Sequence, residues 1–241
     1  MKVLAFNCSP SMDKGNTALI FNPFVEGMKE AGAEVELFYT NKLKINFCTG
    51  QVNCWFKHPG KCYQDDDMNM LYPKLREADV WVFATPVYWD GVTGPMKTLI
   101  DRTALPLFGP FYELRDGHTR TIWREGTTST KVVLVSVGGQ WEMDIFDPLL
   151  VYMKAMCKNS NFEFAGALLR PHTHAVKPMI ESGAVNDIFE AAKEAGRQLV
   201  KNGKMSAEIL KTVSRELVPQ KPYMEGFNQF IQQILDSMKK E

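Results

Sequence analysis

The sequence predicts a three-layer α/β sandwich built on a parallel sheet. Three observations carry that prediction. Residues 3–6, 35–39, 80–84 and 132–137 form short, nearly continuous apolar runs rich in β-branched and aromatic side chains. Such continuity marks strands covered on both faces. Apolar residues at helical spacing separate the runs, and alternating strand and helix implies right-handed crossovers. The composition, 45% apolar and 23% charged over 241 residues, is that of a folded domain with ample core.

The first strand leads into Asn7-Cys8-Ser9-Pro10-Ser11-Met12-Asp13-Lys14-Gly15-Asn16-Thr17. A helix follows on Ile20, Phe24, Gly27, Met28 and Ala31, with Gly32 as its stop. After the second strand, Met68, Leu71 and Leu75 mark a helix behind an Asp66 or Asp67 cap. The third strand is followed by a helix on Met96, Leu99 and Ile100. Leu149, Leu150, Met153 and Met156 lie between the fourth strand and a weaker fifth at 162–169; Ile188, Ala191, Ala192, Ala195 and Leu199 follow. Pro23 and Pro73 fall inside helical patterns, so a kink or a later helix start is expected there.

Two stretches exceed this plan. Residues 103–130 read as a polar, aromatic-studded connection, long enough to suggest a functional loop. Residues 204–241 add two amphipathic helices. The last carries Phe227, Phe230, Ile231, Ile234, Leu235 and Met238 on one stripe, expected to pack on its own domain, with an oligomer interface as the sharper reading. With no dividing linker, the chain reads as one decorated domain, 1–203, with 204–241 as its helical extension.

The 28 basic residues balance 28 acidic ones, which offers no electrostatic case for nucleic acid or an anionic membrane. No apolar run reaches the roughly eighteen residues of a membrane span, and the N-terminus lacks a secretion-signal pattern. Five cysteines are a sparse, odd set. A cytoplasmic protein with reduced thiols is expected.

The loop after the first strand is where an α/β sheet binds phosphate, because the helix N-terminus aims free N–H groups at an anion. Ser9, Ser11, Asn16 and Thr17 add short donors, and Gly15 permits close backbone approach. A ligand-free Ser/Asn-rich cap is the plain alternative. The loop is neither a Walker A nor a G-x-G-x-x-G motif. The third strand ends in Thr85-Pro86-Val87-Tyr88-Trp89-Asp90-Gly91-Val92-Thr93-Gly94-Pro95. Two aromatics among glycine and proline hinges, beside the first loop, suit a flat heterocycle. An aromatic pair that only packs the loop is the alternative.

The pieces Ser9-Pro10, Gly15-Asn16-Thr17, Cys48 with Cys62, Asp66-Asp67-Met68, Glu77-Ala78-Asp79, Thr85-Pro86-Val87-Tyr88-Trp89 and Lys97 with Asp101-Arg102 carry a resemblance. The chain resembles the NAD(P)H-dependent FMN reductases and iron–sulfur flavoproteins of the flavodoxin-like fold. The resemblance implies a five-stranded sheet of order 2-1-3-4-5 and one FMN per subunit. It places the phosphate on Ser9, Ser11, Asn16 and Thr17. The flavin ring would lie along Pro86, Val87, Tyr88, Trp89 and Gly91, closed by Ser136, Gly138 and Gly139. It further implies a homodimer or homotetramer.

Cluster-bearing members carry C-x2-C-x2-C and a fourth cysteine. Here Gln51 stands between Cys48 and Cys54 where the second would be, with Cys62 later. A four-iron cluster wants four thiolates, so none is expected. Cys48, Cys54, His58 and Cys62 would make a Cys3His zinc set at loose spacing; three free thiols near the flavin are the plainer reading.

Elsewhere, Asp65-Asp66-Asp67 reads as a helix cap rather than a cation site, and Asp101-Arg102 as a structural or interface ion pair. His172 and His174 share a face at the end of the fifth strand, but Pro171 favours a loop. Cys157 reads as buried and inert.

The expected function is an FMN-dependent oxidoreductase that takes hydride from NAD(P)H. Its acceptor would be a quinone, nitroaromatic, flavin, metal centre or redox protein. Tyr88 and Trp89, with Phe111, Tyr112 or Trp123, would form the nicotinamide platform. An electron carrier without NAD(P)H activity is the alternative; the balanced charge disfavours it, because carriers of this fold are typically acidic.

Overall fold

The computed structural model describes residues 1–127 and 130–239. In chain order the elements are β1 (Lys2–Asn7), α1 (Asn16–Glu30), β2 (Glu34–Tyr39), α2 (Asn53–Phe56), α3 (Met68–Glu77), β3 (Val80–Pro86), α4 (Gly94–Leu107), β4 (Phe108–Arg115), β5 (His118–Trp123), β6 (Lys131–Val137), α5 (Asp147–Ser160), β7 (Glu163–Arg170), α6 (Asn186–Asn202), α7 (Ala207–Ser214) and α8 (Gln220–Met238).

The continuous apolar runs form the sheet because both faces are covered. Val3, Ala5, Val80, Val82, Val133 and Val135 point toward α1 and α6. Leu4, Phe6, Trp81, Phe83, Val132 and Leu134 point toward α3, α4 and α5. All sheet pairings are parallel and the order is β2-β1-β3-β6-β7. With the separate hairpin set aside, this is the flavodoxin-like order 2-1-3-4-5. The chain leaves β1 to one side and returns to β3 on the other, so a switch-point crevice opens at their carboxyl ends.

Helix α1 ends in a Schellman arrangement: Ala33 N–H donates to Met28 C=O (3.1 Å) and Gly32 N–H to Lys29 C=O (2.9 Å), with Gly32 at φ +91°. Helices α1 and α6 cross at contact distance, since a Cβ on Gly27 would stand 1.8 Å from the Lys193 carbonyl oxygen. Neither Pro23 nor Pro73 delays its helix; each sits inside a helix that starts several residues earlier. Each removes one backbone donor without ending the helix.

The 103–130 connection differs from the loop expected. Helix α4 runs on to Leu107, and β4 and β5 form an antiparallel hairpin. Asp116 and Gly117 turn it at φ 52° and 72°, as a two-residue Asp-Gly turn demands. Trp123 packs on Phe108 and Phe162 (centroids 4.0 and 4.5 Å). Its Nε1–H donates to the Ser160 carbonyl, just before β7 starts. An indole held at the amino end of the sheet does not reach the carboxyl-end loops, so Trp123 leaves the expected nicotinamide platform. Residues 128–129 of this connection, and 240–241 of the C-terminal extension, lie outside the described residues.

The stripe on the last helix also departs from expectation. No residue of α8 is buried; Phe230, Ile231, Ile234, Leu235 and Met238 are all exposed. Only Tyr223 and Phe227, in its first turns, are half-buried. The apolar stripe extends past the domain rather than onto it. Among the described residues, no helix is long and apolar enough to cross a membrane.

Candidate active site

Buried hydroxyls lock three loops together at the carboxyl ends of β1, β3 and β6. Ser136 Oγ donates to Thr85 C=O (2.9 Å), Thr93 N–H to Thr85 Oγ1 (3.2 Å), and Thr93 Oγ1 to Cys8 C=O (2.8 Å). Thr93 Oγ1 also accepts from Met96 N–H, capping α4. Ser136 lies fully buried inside β6, its hydroxyl proton already committed to this brace.

Asn7 shapes the first loop. Its Oδ1 accepts from Ser9 N–H (3.0 Å) and its Nδ2 donates to Met12 C=O (3.2 Å). A Cβ on Gly15 would stand 2.9 Å from Ser9 Oγ and 3.0 Å from Ser11 Cβ, so the loop closes only around glycine. Helix α1 then starts at Asn16 without a side-chain cap. The first-turn N–H groups of a helix lack intrahelical acceptors; here Ala18 N–H turns back to Gly15 C=O (3.1 Å), and the N-cap glycine has no side chain to serve the others. Thr17 Oγ1 is buried and has no hydrogen-bond partner among the described residues. A buried orphan hydroxyl beside an uncapped helix N-terminus is a site that calls for an anion. The donors Ser9, Ser11, Asn16 and Thr17 fit a phosphate. The loop also gains a cation that sequence reasoning missed: Lys177 Nζ donates to Lys14 C=O (2.9 Å) across 163 residues of chain. No local signal marks it, because only tertiary folding brings it there.

In the second loop, Tyr88 and Gly91 exchange both backbone hydrogen bonds at 3.0 Å. This forces Trp89 and Asp90 into φ 49° and 56°, unusual for residues with a Cβ. The turn drives the Trp89 side chain to 100% exposure and leaves Tyr88 52% exposed; Pro86 and Val87 below them are half-buried. The aromatic pair therefore does not pack the loop. Two large π faces stand open at the loop that follows β3.

The third loop is tight. A Cβ on Gly138 would meet Ile145 Cδ1 at 2.1 Å, and one on Gly139 would meet His174 Nε2 at 2.9 Å. The segment after β7 braces it: Thr173 N–H donates to Gly138 C=O (3.0 Å) and His172 N–H to Gln140 C=O (2.6 Å). The Tyr223 hydroxyl donates to Gly139 C=O from α8.

His172 and His174 do not share a face. His172 is buried, and its Nε2 accepts from Leu217 N–H (3.1 Å) and from Arg170 Nη2 (2.8 Å). Burial, and then the neighbouring Arg170 charge, push its pKa down to about 4. His174 is exposed and packs against Phe227, ring centroids 4.9 Å apart and tilted by 30°. Arg170 itself is fully buried on the carbonyls of Pro171 and Val213. Burial first, and Arg215 next, lower its pKa to about 10.

The cysteine loop is anchored on other elements. Its carbonyls are held by arginines of α3 and α4 and by Arg124: Arg76 on Gly60, Arg102 on Asn46, Arg124 on Cys54. Cys48, Cys54 and Cys62 line one cavity of about 20 Å³ together with Gln51. His58 is exposed and outside that cavity, so the Cys3His set is not assembled. Burial, then Cys62, pushes the Cys54 thiol pKa up. Among the described residues no group of three or more His, Cys, Asp or Glu is placed to hold a metal ion. Three thiols and a glutamine amide around a space for about one water do not fit a four-iron cluster. Cys157 is buried, and burial pushes its thiol up to about 12.

Asp101 and Arg102 do not pair with each other. Asp101 binds Lys97 one helical turn away (2.6 Å), and Arg102 binds Asp66 through a buried pair (2.6 Å). Asp66 also accepts from Met68 N–H, so the acidic run caps α3 as expected while clamping α4.

Comparison with known proteins agrees with this geometry. A family model described as NADPH-dependent FMN reductase matches residues 1–144. An iron-sulfur flavoprotein of Archaeoglobus fulgidus is 38% identical over 116 residues, 48% of this chain and 55% of the relative. One from Methanocaldococcus jannaschii is 41% identical over 102 residues, 42% of this chain and 50% of the relative. The chain thus spans about half the length of the curated relatives it matches. Among solved structures, a putative quinone reductase from Klebsiella pneumoniae superposes with TM-score 0.65 at 21% identity, covering 83% of this chain and 85% of that one. An FMN-dependent NADH-azoreductase from Bacillus anthracis, in complex with FMN, gives 0.61 at 15% identity, covering 83% and 100%. At those identities the likeness is one of fold.

Proposed function

We propose, from the premise that this chain belongs to the NADPH-dependent FMN reductase family, that it is an FMN-dependent oxidoreductase moving electrons from NAD(P)H to a small-molecule acceptor. The observation that carries the reading is the uncapped α1 N-terminus with the orphan Thr17 hydroxyl, facing open aromatic faces across locked loops. Bound FMN supplies the redox chemistry, accepting hydride and releasing electrons in one- or two-electron steps.

The chain's own residues bind and orient. Ser9, Ser11, Asn16, Thr17 and the α1 amides hold the phosphate, with Lys177 balancing its charge from the far side of the loop. Pro86, Val87, Tyr88, Trp89 and Gly91 seat one edge of the ring, and Gly138 and Gly139 bring backbone close to the other. Backbone N–H groups in these loops stabilise negative charge that develops on the reduced ring. Tyr88 and Trp89 offer the platform for the nicotinamide.

The test is NADPH-driven bleaching of the flavin absorbance under anaerobic conditions. Bleaching is expected; its absence at millimolar NADH and NADPH would leave an electron carrier instead. Thr17→Val should weaken FMN affinity by about 1–3 kcal/mol, roughly 5- to 150-fold, read by fluorescence titration. Unchanged affinity would move the phosphate elsewhere.

The same reading has the chain work as a homodimer or homotetramer. The exposed stripe of α8 supports it, since contiguous apolar surface of this kind marks protein contacts. Analytical ultracentrifugation at micromolar concentration should give a multiple of 27.4 kDa; the monomer mass would overturn it.

A further inference from the structure

The cysteine loop fits no four-iron cluster, yet its three thiols still meet. Cys48, Cys54 and Cys62 line one cavity of about 20 Å³, with Cys54 buried and the other two half-exposed. That space holds about one water, so the walls that carry the thiols stand close together. The chain between Cys54 and Cys62 is folded back on itself: Gly60 N–H donates to Cys54 C=O (2.9 Å) and Lys61 N–H to His58 C=O (2.9 Å). Arg124 holds the Cys54 carbonyl (3.0 Å) and Arg76 the Gly60 carbonyl (3.0 Å), which fixes the turn at both ends and returns Cys62 to the cavity. Cys54 feels Cys62 more than Cys48: burial raises its thiol pKa most, then Cys62, with Cys48 a smaller cause.

The surroundings are positive. Arg76, Arg102 and Arg124 all donate to backbone carbonyls of this loop. The Nε–H groups of Arg102 and Arg124 are buried with no acceptor among the described residues, so part of this donor capacity is unspent. Cys62 lies within electrostatic reach of Arg102: burial lowers the guanidinium pKa, while Asp66, Tyr72 and Cys62 raise it. Half-exposed thiols in positive surroundings are reactive, whereas thiols buried among apolar groups are inert. The chain carries its own contrast, since Cys8 and Cys157 sit in the apolar core and burial pushes both thiols up to about 12.

We propose that Cys54 and Cys62 are a reversible dithiol–disulfide pair oxidised by hydrogen peroxide. The Cys62 sulfur, the more accessible of the two, attacks one peroxide oxygen as its thiolate. The O–O bond breaks, hydroxide leaves and takes up the thiol proton as water, and Cys62 becomes a sulfenic acid. The Cys54 sulfur then attacks Cys62. The S–S bond forms as the S–O bond breaks, and a second water carries away the Cys54 proton. Two thiols lose two electrons, and one peroxide becomes two waters. A small dithiol reverses the link by two exchanges and leaves as its own cyclic disulfide.

The experiment uses the full chain, reduced, freed of reductant under nitrogen and given a small excess of hydrogen peroxide. Free thiols counted after denaturation should fall by two of the five, and dithiothreitol should restore them. Trypsin cuts after Lys57 and Lys61, so Cys54 and Cys62 fall in separate peptides, 45–57 and 62–74, unless a disulfide joins them. The joined pair should appear in the wild type, and its fragmentation should place the link on Cys54 rather than Cys48. Cys48→Ser should keep the link; Cys54→Ser should abolish it and leave Cys62 to oxidise on to the sulfinic acid. Retention of all five thiols would overturn the proposal, as would a link that survives Cys54→Ser. A band at twice the chain mass on a non-reducing gel in place of the internal link, or near-stoichiometric zinc or iron in the protein as purified, would overturn it too.

Discussion

Replacing Asp66 with alanine is expected to remove about 3–5 kcal/mol of folding stability, the largest single effect in the molecule outside its apolar core. Asp66 and Arg102 have side chains only 2% and 1% exposed, joined at 2.6 and 3.1 Å. Arg102 further donates to Asn46 C=O (2.6 Å), and Asp66 accepts from the N–H groups of Asn46 (3.0 Å) and Met68 (3.1 Å). Burial pushes the Asp66 carboxyl up, but Arg102 and the two N–H donors outweigh it and hold its pKa below the usual 3.8. Without the carboxylate, a buried guanidinium stays behind uncompensated, which is costlier than losing both partners. Urea denaturation measures the loss, and a value under about 1 kcal/mol would mean that water reaches Arg102. The same clamp ties the cysteine loop to α4 through Asn46. Proteolytic cleavage between residues 46 and 64 should therefore accelerate in the variant before global unfolding does.

The second large effect is acid destabilisation through His172. Its folded pKa, about 4, lies below the ordinary 6.5. The unfolded chain therefore binds the proton first as pH falls. The stabilising contribution is complete above pH 6.5, declines below it, and is gone once pH passes 4. A shift of this size corresponds to roughly 3 kcal/mol at about 1.36 kcal/mol per pH unit. Protonation would take the Nε2 lone pair from both Leu217 N–H and Arg170, and place a second cation beside the first. Stability curves between pH 7 and 4.5 should fall more steeply for the wild type than for His172→Phe. Parallel curves would remove His172 as the cause. Because Leu217 leads into α8, the expected structural readout is early loosening of α8, seen as rising exchange of its amides.

Much of the fold was legible because strand and helix periodicities are local. The five sheet strands, α1 with its Gly32 stop, and the cap region before α3 follow from neighbouring residues alone. The hairpin at 108–123 carried a readable signal, Asp116-Gly117 between β-rich flanks, obscured by the polar character of the stretch. The later helix starts expected at Pro23 and Pro73 are absent for a different reason. The extensive burial of α1 and α3 outweighs one missing donor each, so tertiary packing overrides local propensity.

The tight Ser/Asn/Gly loop before α1 and the aromatic loop were visible in sequence because the geometry that makes them, helix N-terminus and tight turn, is built from consecutive residues. What covers a surface, and which distant group arrives at a site, are not consecutive facts. Lys177 on the Lys14 carbonyl, the Asp66–Arg102 clamp and the Arg170–His172 brace each join residues whose partners no pattern specifies. The α8 stripe makes the distinction clearest. Its sequence determined that one face is apolar; only the tertiary structure decided that the domain leaves most of that face open, with Tyr223 and Phe227 alone half-buried beside the Gly139 turn. Apolar periodicity states that a face must find cover, and the free energy of burial is indifferent to whether that cover is the same chain, another copy or a ligand.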